Sequence, residues 1–210
     1  MSYRVVCLSS EDGTGATETA PAVAEALSFR LIDEEILTRA AVEAGVEEEV
    51  VADVERRKSR LVRLLEGLGP AGMATGPVIP AEGLGFDQPA SDELRGLIRS
   101  VIEDTATAGE VVLVSHAASV ALGAREDVLR VLVTAPTPTR QRRLAATLGV
   151  DEKEAGRMLK RSDAGRADYL KRFYGVGAEL PSHYDLVINT DRITPDAVTR
   201  LIVDAVKRSA

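Results

Sequence analysis

The sequence predicts an α/β fold in which a parallel sheet is covered by helices on both faces. Three observations carry that expectation. Five apolar runs of β-forming residues recur along the 210 residues, at Val5–Leu8, Phe29–Ile32, Val111–Val114, Val128–Thr134 and Leu186–Asn189. Their apolar character is continuous rather than alternating, as in strands buried on both faces. Helical patterns lie between most of them, which calls for a parallel sheet with right-handed crossovers. The chain also opens on a strand, a small-residue turn and a helix in succession.

That opening stretch is RVVCLSSEDGTGATETAPAVAEALSFRLID. Arg4–Leu8 reads as a strand, Ser9–Thr17 as the turn and Glu18–Leu27 as the helix, with a second strand closing on Asp33. Pro21 is expected within the first helical turn, where its missing N–H has no partner to lose. Such a turn aims its N–H groups and the helix N-terminus at an anion. The phosphate-loop pattern Gly-x-x-x-x-Gly-Lys-Ser/Thr falls on Ser10, Gly15, Ala16 and Thr17. Gly15 and Thr17 match it. Ser10 and Ala16 do not, so the lysine that reaches the outer phosphates is missing. No Lys or Arg occurs between Arg4 and Arg30, while Glu11, Asp12 and Glu18 crowd the turn and would repel a triphosphate. An ordinary glycine turn between a strand and a helix accounts for the same residues.

After Asp33 the pattern predicts two helices broken near Gly45. Gly67–Ser91 collects glycine and proline and reads as a long mobile loop. A helix over Asp92–Thr107 leads into the third strand. Pro136–Pro138 end the fourth, and helices follow at Arg140–Leu148 and Asp151–Arg161. Asp151 suits an N-cap, with Glu154 at capping-box spacing. The basic segment RMLKRSDAGRADYLKRFY spans Arg157–Tyr174, a turn at Pro181 leads into the last strand, and Thr194–Pro195 open a final helix running to about Lys207. No internal repeat is present.

Composition narrows the partners. The net charge of −7 opposes general binding to nucleic acid or to a membrane surface. Residues 9–55 carry thirteen acids against Arg30 and Arg39, whereas residues 140–172 carry ten bases against five acids. A locally basic segment in an acidic chain fits a clamp for a small anion, although a solvated helix surface explains most of those bases individually. Cys7 is the only cysteine and packs within the first strand, so no disulfide forms within the chain. That suits a reducing, cytoplasmic location. The N-terminus MSYRVV shows no signal-peptide apolar run, and no apolar run approaches 18 residues, so no membrane span is expected. Neither a Cys/His zinc cluster nor a Gly-x-Ser-x-Gly nucleophile elbow occurs.

Four stretches carry a resemblance. They are GTGATETA (Gly13–Ala20), FRLIDEEILTR (Phe29–Arg39), VLVSHAASVALGAREDVLRVLVTAPTPTRQRRLA, and RSDAGRADYLKRFYG followed by PSHYDLVINT. In their order and spacing the chain resembles the nucleoside monophosphate kinases, and among them the cytidylate kinase-like family. The resemblance implies a three-layer α/β/α P-loop NTPase fold with a five-stranded parallel sheet, in a single domain over residues 1–210. Its core would be 1–33 and 108–207. A helical insertion over about 34–107 would close on the nucleoside monophosphate, and a lid over about 157–180 would close on ATP. The implied reaction is transfer of the ATP γ-phosphoryl to a pyrimidine monophosphate with Mg²⁺. Small-molecule nucleotides would then be the partners; the oligomeric state is left open.

The resemblance also assigns residues. Gly13, Thr14, Gly15, Ala16, Thr17 and Glu18 would form the nucleotide loop. Thr17 would hold Mg²⁺ through its hydroxyl, or cap the helix. Asp33 and Arg39 occupy the acid and base places of the second stretch, though Arg39 also stands at ion-pair spacing from Glu35. His116 ends a core strand where open α/β sheets bind ligands, or is a satisfied structural group. With Asp163, these would contact the acceptor. Arg166, Asp33 and Arg161 would serve the transfer itself. The chain departs from the family in two places: Thr17 stands where the family has an arginine, and Ser115–His116 where it has Gly-Arg. Two cations that would face phosphate are thus gone. A nucleotide-binding protein with little turnover, or a partner-binding relic, therefore competes with a working kinase.

Overall fold

The computed structural model describes residues 2–33, 88–115, 118–123 and 125–208. In chain order it contains β1 (Val5–Ser10), α1 (Ala16–Leu27), β2 (Arg30–Ile32), α2 (Gln88–Ala108), β3 (Val111–Val114), α3 (Ala118–Ala121), β4 (Val128–Thr134), α4 (Thr137–Leu148), α5 (Glu152–Tyr174), a 3₁₀ turn (Pro181–His183), β5 (Leu186–Asn189) and α6 (Pro195–Arg208). The five strands form one sheet in the order β2-β3-β1-β4-β5, and every neighbouring pair is parallel. β1 is central, with Val5 paired to Val111 on one side and to Val128 on the other.

Side chains alternate across a strand, and both faces here are apolar. Val5 and Cys7 join Val111, Leu113, Val101 and Ile102 in the core under α2 and α3. Val6 and Leu8 join Val112, Val131, Val23, Val198 and Ile202 in the core under α1 and α6. This produces three layers and explains the unbroken apolar runs in the sequence. Burial pushes the Cys7 thiol up to about 12, so it packs as an inert small hydrophobe.

The expected elements are present among the described residues, with shifted boundaries. α1 begins at Ala16 rather than Glu18, because Gly15 turns the chain in the left-handed region at φ 81°. Pro21 therefore lies inside the helix rather than in its first turn. It withholds the N–H that the Thr17 carbonyl would have accepted, at a place where both residues are exposed to solvent. α2 starts at Gln88, which makes the last residues expected in the Gly67–Ser91 loop helical. The rest of that loop and the helices expected around Gly45 lie outside the described residues.

The largest departure is at α5. The separate helix expected at Asp151–Arg161 and the segment after it form one helix of 23 residues. Asp151 caps it by accepting the Glu154 N–H at 2.7 Å, as the spacing indicated. Ala155, Met158 and Leu159 pack on Leu144 and Ala145, which fastens α5 to α4. At the other end Gly175 takes the left-handed conformation at φ 68°, and its N–H and that of Val176 close on Lys171 and Leu170.

Candidate functional site

The turn between β1 and α1 lies at the carboxyl end of the central strand, where open α/β sheets bind ligands. Its shape is set by residues from three other elements. Gly13 sits at φ 77°, and a Cβ there would stand 2.5 Å from the Arg140 carbonyl oxygen, so only glycine fits against α4. The Thr14 hydroxyl donates to the Glu11 carbonyl at 2.7 Å. The Thr14 carbonyl in turn accepts the Thr190 hydroxyl at 2.7 Å and Arg143 at 3.2 Å. Arg143 also donates to the Thr190 carbonyl at 2.6 Å, which ties the turn to the end of β5.

Arg140 is the hub of this arrangement. Its side chain is 3% exposed. Its Nε donates to the Asp12 carbonyl at 2.7 Å, and its terminal nitrogens meet Glu11 at 3.2 Å and both Asp163 carboxylate oxygens at 2.6 and 3.1 Å. Glu11 also accepts from the Thr134 hydroxyl at 2.5 Å, and Asp12 accepts from Ser162. Two of the three carboxylates expected to repel a triphosphate, Glu11 and Asp12, are thus turned onto donors of the protein itself. Arginines from α4 and α5 stand beside the turn, but each is paired with a carboxylate, Arg140 with Glu11 and Asp163 and Arg166 with Glu179.

Gly15 provides the backbone cap of α1, and no side chain caps that end. Thr17 stands inside the helix and is exposed, so the capping alternative does not describe it. Its hydroxyl has no hydrogen-bond partner among the described residues. Glu18, also exposed, lies in the first turn, where its charge suits the helix dipole. Ala16 is 4% exposed and belongs to the core beneath α1.

A second arginine approaches from α5. Arg166, with 8% of its side chain exposed, donates to the Ser10 carbonyl at 2.8 Å and to both Glu179 oxygens at 2.5 and 2.7 Å. The Tyr184 hydroxyl donates to the same carboxylate. Burial pushes the Glu179 carboxyl up, but the hydrogen bonds and charge of Arg166 outweigh it and hold it below the usual range. Burial likewise pushes the Arg166 guanidinium down, and Glu179 more than reverses this. Tyr184 is raised by its own burial and then by the neighbouring Glu179. Glu11, Asp163, Arg166, Leu170, Val176 and Glu179 line an open cleft of about 220 Å³ beside the turn.

The structure therefore brings Gly13, Thr14, Gly15, Ala16, Thr17 and Glu18 together with Asp163 and Arg166. Arg161 points elsewhere: it is 67% exposed and reaches Glu154 at 3.6 Å. Asp33 follows β2, which β3 separates from the turn. Arg39 and His116 lie outside the described residues. Arg140, Arg143, Glu179 and Tyr184 were not expected at the site. The basic run TRQRRL directly after β4 was the available signal for the first two.

Residues 5–192 match the cytidylate kinase-like family. The chain belongs to that family. A curated cytidylate kinase from Methanopyrus kandleri is 31% identical over 111 residues, covering 49% of this chain and 58% of the relative. The aligned part thus spans little more than half of the relative's length. Among solved structures, an uncharacterized protein from Eubacterium ventriosum superposes with a TM-score of 0.65 at 18% identity, covering 97% of this chain and 98% of the other. TT1252 from Thermus thermophilus does so with a TM-score of 0.52 at 15% identity, covering 100% and 98%. At these identities the two structures speak for the fold of the family member.

Proposed function

We propose that this family member is an ATP-dependent kinase of a pyrimidine nucleoside monophosphate, CMP or dCMP in type. The observation that carries the reading is the convergence of Arg140 and Arg166 on a glycine turn whose helix end has no side-chain cap. The free N–H groups of the first turn of α1 suit a phosphate. The exposed Thr17 hydroxyl suits Mg²⁺, which keeps several waters and takes its other ligands from phosphate. Among the described residues no group of three or more His, Cys, Asp or Glu could hold a metal ion by itself.

Bound Mg-ATP supplies the phosphoryl group and the metal charge that offsets its oxygens. The chain's own residues orient and neutralise. Gly13–Thr17 hold the phosphates, and Arg140 keeps that turn in shape. Arg166 adds charge beside it, with Arg161 as the outer candidate on the lid about 157–180. Asp163, Asp33, Arg39 and His116 serve the acceptor, under the insertion about 34–107. A cytoplasmic protein acting on small nucleotides, without nucleic-acid or membrane partners, completes the reading. Among the described residues no helix is long and apolar enough to cross a membrane.

A second reading, nucleotide binding with little turnover, draws on one observation. Ala16 is packed in the core at the place of the loop lysine. ADP release from Mg-ATP with CMP, dCMP, UMP or AMP, with Asp33→Ala as control, separates the two. Turnover with a pyrimidine monophosphate supports the kinase. Calorimetric binding of Mg-ATP with no ADP from any acceptor supports the second reading, and absence of both refutes each.

A further inference from the structure

Glu179 has no part in the phosphoryl transfer proposed above, yet it occupies the guanidinium that the transfer needs. It takes two parallel hydrogen bonds from Arg166, at 2.5 and 2.7 Å. A carboxylate held in this forked way presents to arginine a pair of anionic oxygens, as a phosphate does. Another Arg166 nitrogen donates to the Ser10 carbonyl at 2.8 Å, which anchors the guanidinium at the entrance of the phosphate turn.

The segment bearing Glu179 has room to yield. It leaves α5 at Gly175, in the left-handed region, and passes Gly177, where an added Cβ would meet nothing within 4 Å. Leu180, directly after Glu179, is half exposed. The Tyr184 hydroxyl donates to Glu179 independently of Arg166, so a carboxylate parted from the arginine would keep a hydrogen-bond donor. Arg140 differs in kind, because the groups that hold it are the Asp12 carbonyl and carboxylates of the turn and of α5 itself.

We propose that Glu179 is an internal competitor for Arg166, its carboxylate standing where a phosphate oxygen pair of the nucleotide would dock, so that binding exchanges one anion for the other. The identity of the incoming anion rests on the kinase reading; the assignment of Glu179 goes beyond it. The device sets a threshold for nucleotide affinity within the fold.

Mg-ATP titrated calorimetrically into the full chain tests it, with Glu179→Gln, Arg166→Ala and the double variant alongside. Glutamine keeps the shape and an acceptor for Tyr184 while removing the charge. Glu179→Gln is expected to bind roughly tenfold more tightly, the factor carried by one charge-assisted hydrogen bond. The gain is expected to vanish when Arg166 is alanine. Glu179→Ala serves as a second variant with the same direction should the glutamine form not fold in a melting curve. Binding by Glu179→Gln where the parent shows none supports the competition. Unchanged or weaker binding overturns it and leaves the kinase reading standing on the parent's own binding. A gain that persists without Arg166 also overturns it, since general charge repulsion then explains the effect. No binding by any form overturns both readings.

Discussion

Arg140 and Arg166 approach the same turn from adjacent helices and do different work. Arg140 is bound by the turn it serves, through the Asp12 carbonyl and Glu11, and by Asp163 behind it. Arg166 is bound by a carboxylate from outside the turn, on a segment punctuated by glycines. The first contact fixes the shape of the turn. In the proposed reading the second leaves a charge beside the turn that an incoming anion would claim. A count of cations near a loop is therefore a poor guide to phosphate binding. What matters is whether removing the arginine's present partner also dismantles the loop.

The sharpest way to break this distinction is at Arg140. Arg140→Ala would leave Glu11 and Asp163 without their cation and the Asp12 carbonyl without its donor. The guanidinium is buried while Glu11 and Asp163 are 29% and 40% exposed. Its truncation should therefore cost between about 1 kcal/mol, as for an exposed pair, and about 3–5 kcal/mol, as for a buried one. Urea unfolding is expected to show a loss of that size, with nucleotide binding lost as the turn relaxes. A loss below about 1 kcal/mol, the scale of exposed ion pairs, would show that Arg140 does not hold the turn.

Arg166→Ala leaves the buried Glu179 carboxylate without its cation, so it should lower stability as well as ligand affinity. The two effects are read separately, by urea unfolding and by titration of the folded variant. The substitution should cost about 1.5–3 kcal/mol in Mg-ATP binding, as for one desolvated charge-assisted contact, and less in CMP binding. Equal losses for the two ligands, or none for either, would remove Arg166 from the triphosphate side.

The difference between these arginines also marks how far the sequence could be read. The inner strands were legible because residues buried on both faces leave continuous apolar runs, as Val5–Leu8 and Val128–Thr134 do, whereas the edge strands β2 and β5 are apolar in sequence but partly exposed. The Asp151 cap was legible because its partner Glu154 is three residues away. The role of Arg140 was not, since its partners Glu11 and Asp12 lie 129 and 128 residues distant and only the sheet order brings them near. The same limit hid Glu179, which reads in sequence as one more acid in a loop. The single span of α5 was missed for a different reason. The resemblance implied a lid over about 157–180, which set that segment apart from the helix expected at Asp151–Arg161. Packing on α4 and end caps at Asp151 and Gly175 instead keep the segment to Tyr174 in one helix.

Acid titration sharpens the comparison by a smaller effect. The folded-state pKa of Glu179 lies below its ordinary value, so its pair with Arg166 contributes stability above the unfolded pKa of about 4.3. That contribution is lost as pH falls through the depressed folded value. The stability difference between the parent and Glu179→Gln, measured by urea unfolding, should therefore be full at pH 7 and shrink below about pH 4. Asp185 and Asp127, lowered by hydrogen bonds from Arg130 and Arg125, will leave a residual acid dependence in the variant. A difference that grows as pH falls would reverse the sign and break the assignment of Glu179 as an ionised partner.

The smallest expected effect tests whether α5 transmits strain along its length or acts through local contacts. Asp151 caps the end of α5 by accepting the Glu154 N–H. Asp163 meets Arg140, and Arg166 the Ser10 carbonyl, more than two helical turns later. Asp151→Ala removes the cap and should cost about 1 kcal/mol of stability. Packing of Met158 and Leu159 on α4 lies between the cap and the site, so fraying should stop there. Mg-ATP affinity is then expected to be unchanged within error, while the melting temperature falls. If affinity falls with stability, α5 acts as one lever. Arg140 and Arg166 would then no longer be separable, because both depend on the same helix holding its register against the turn.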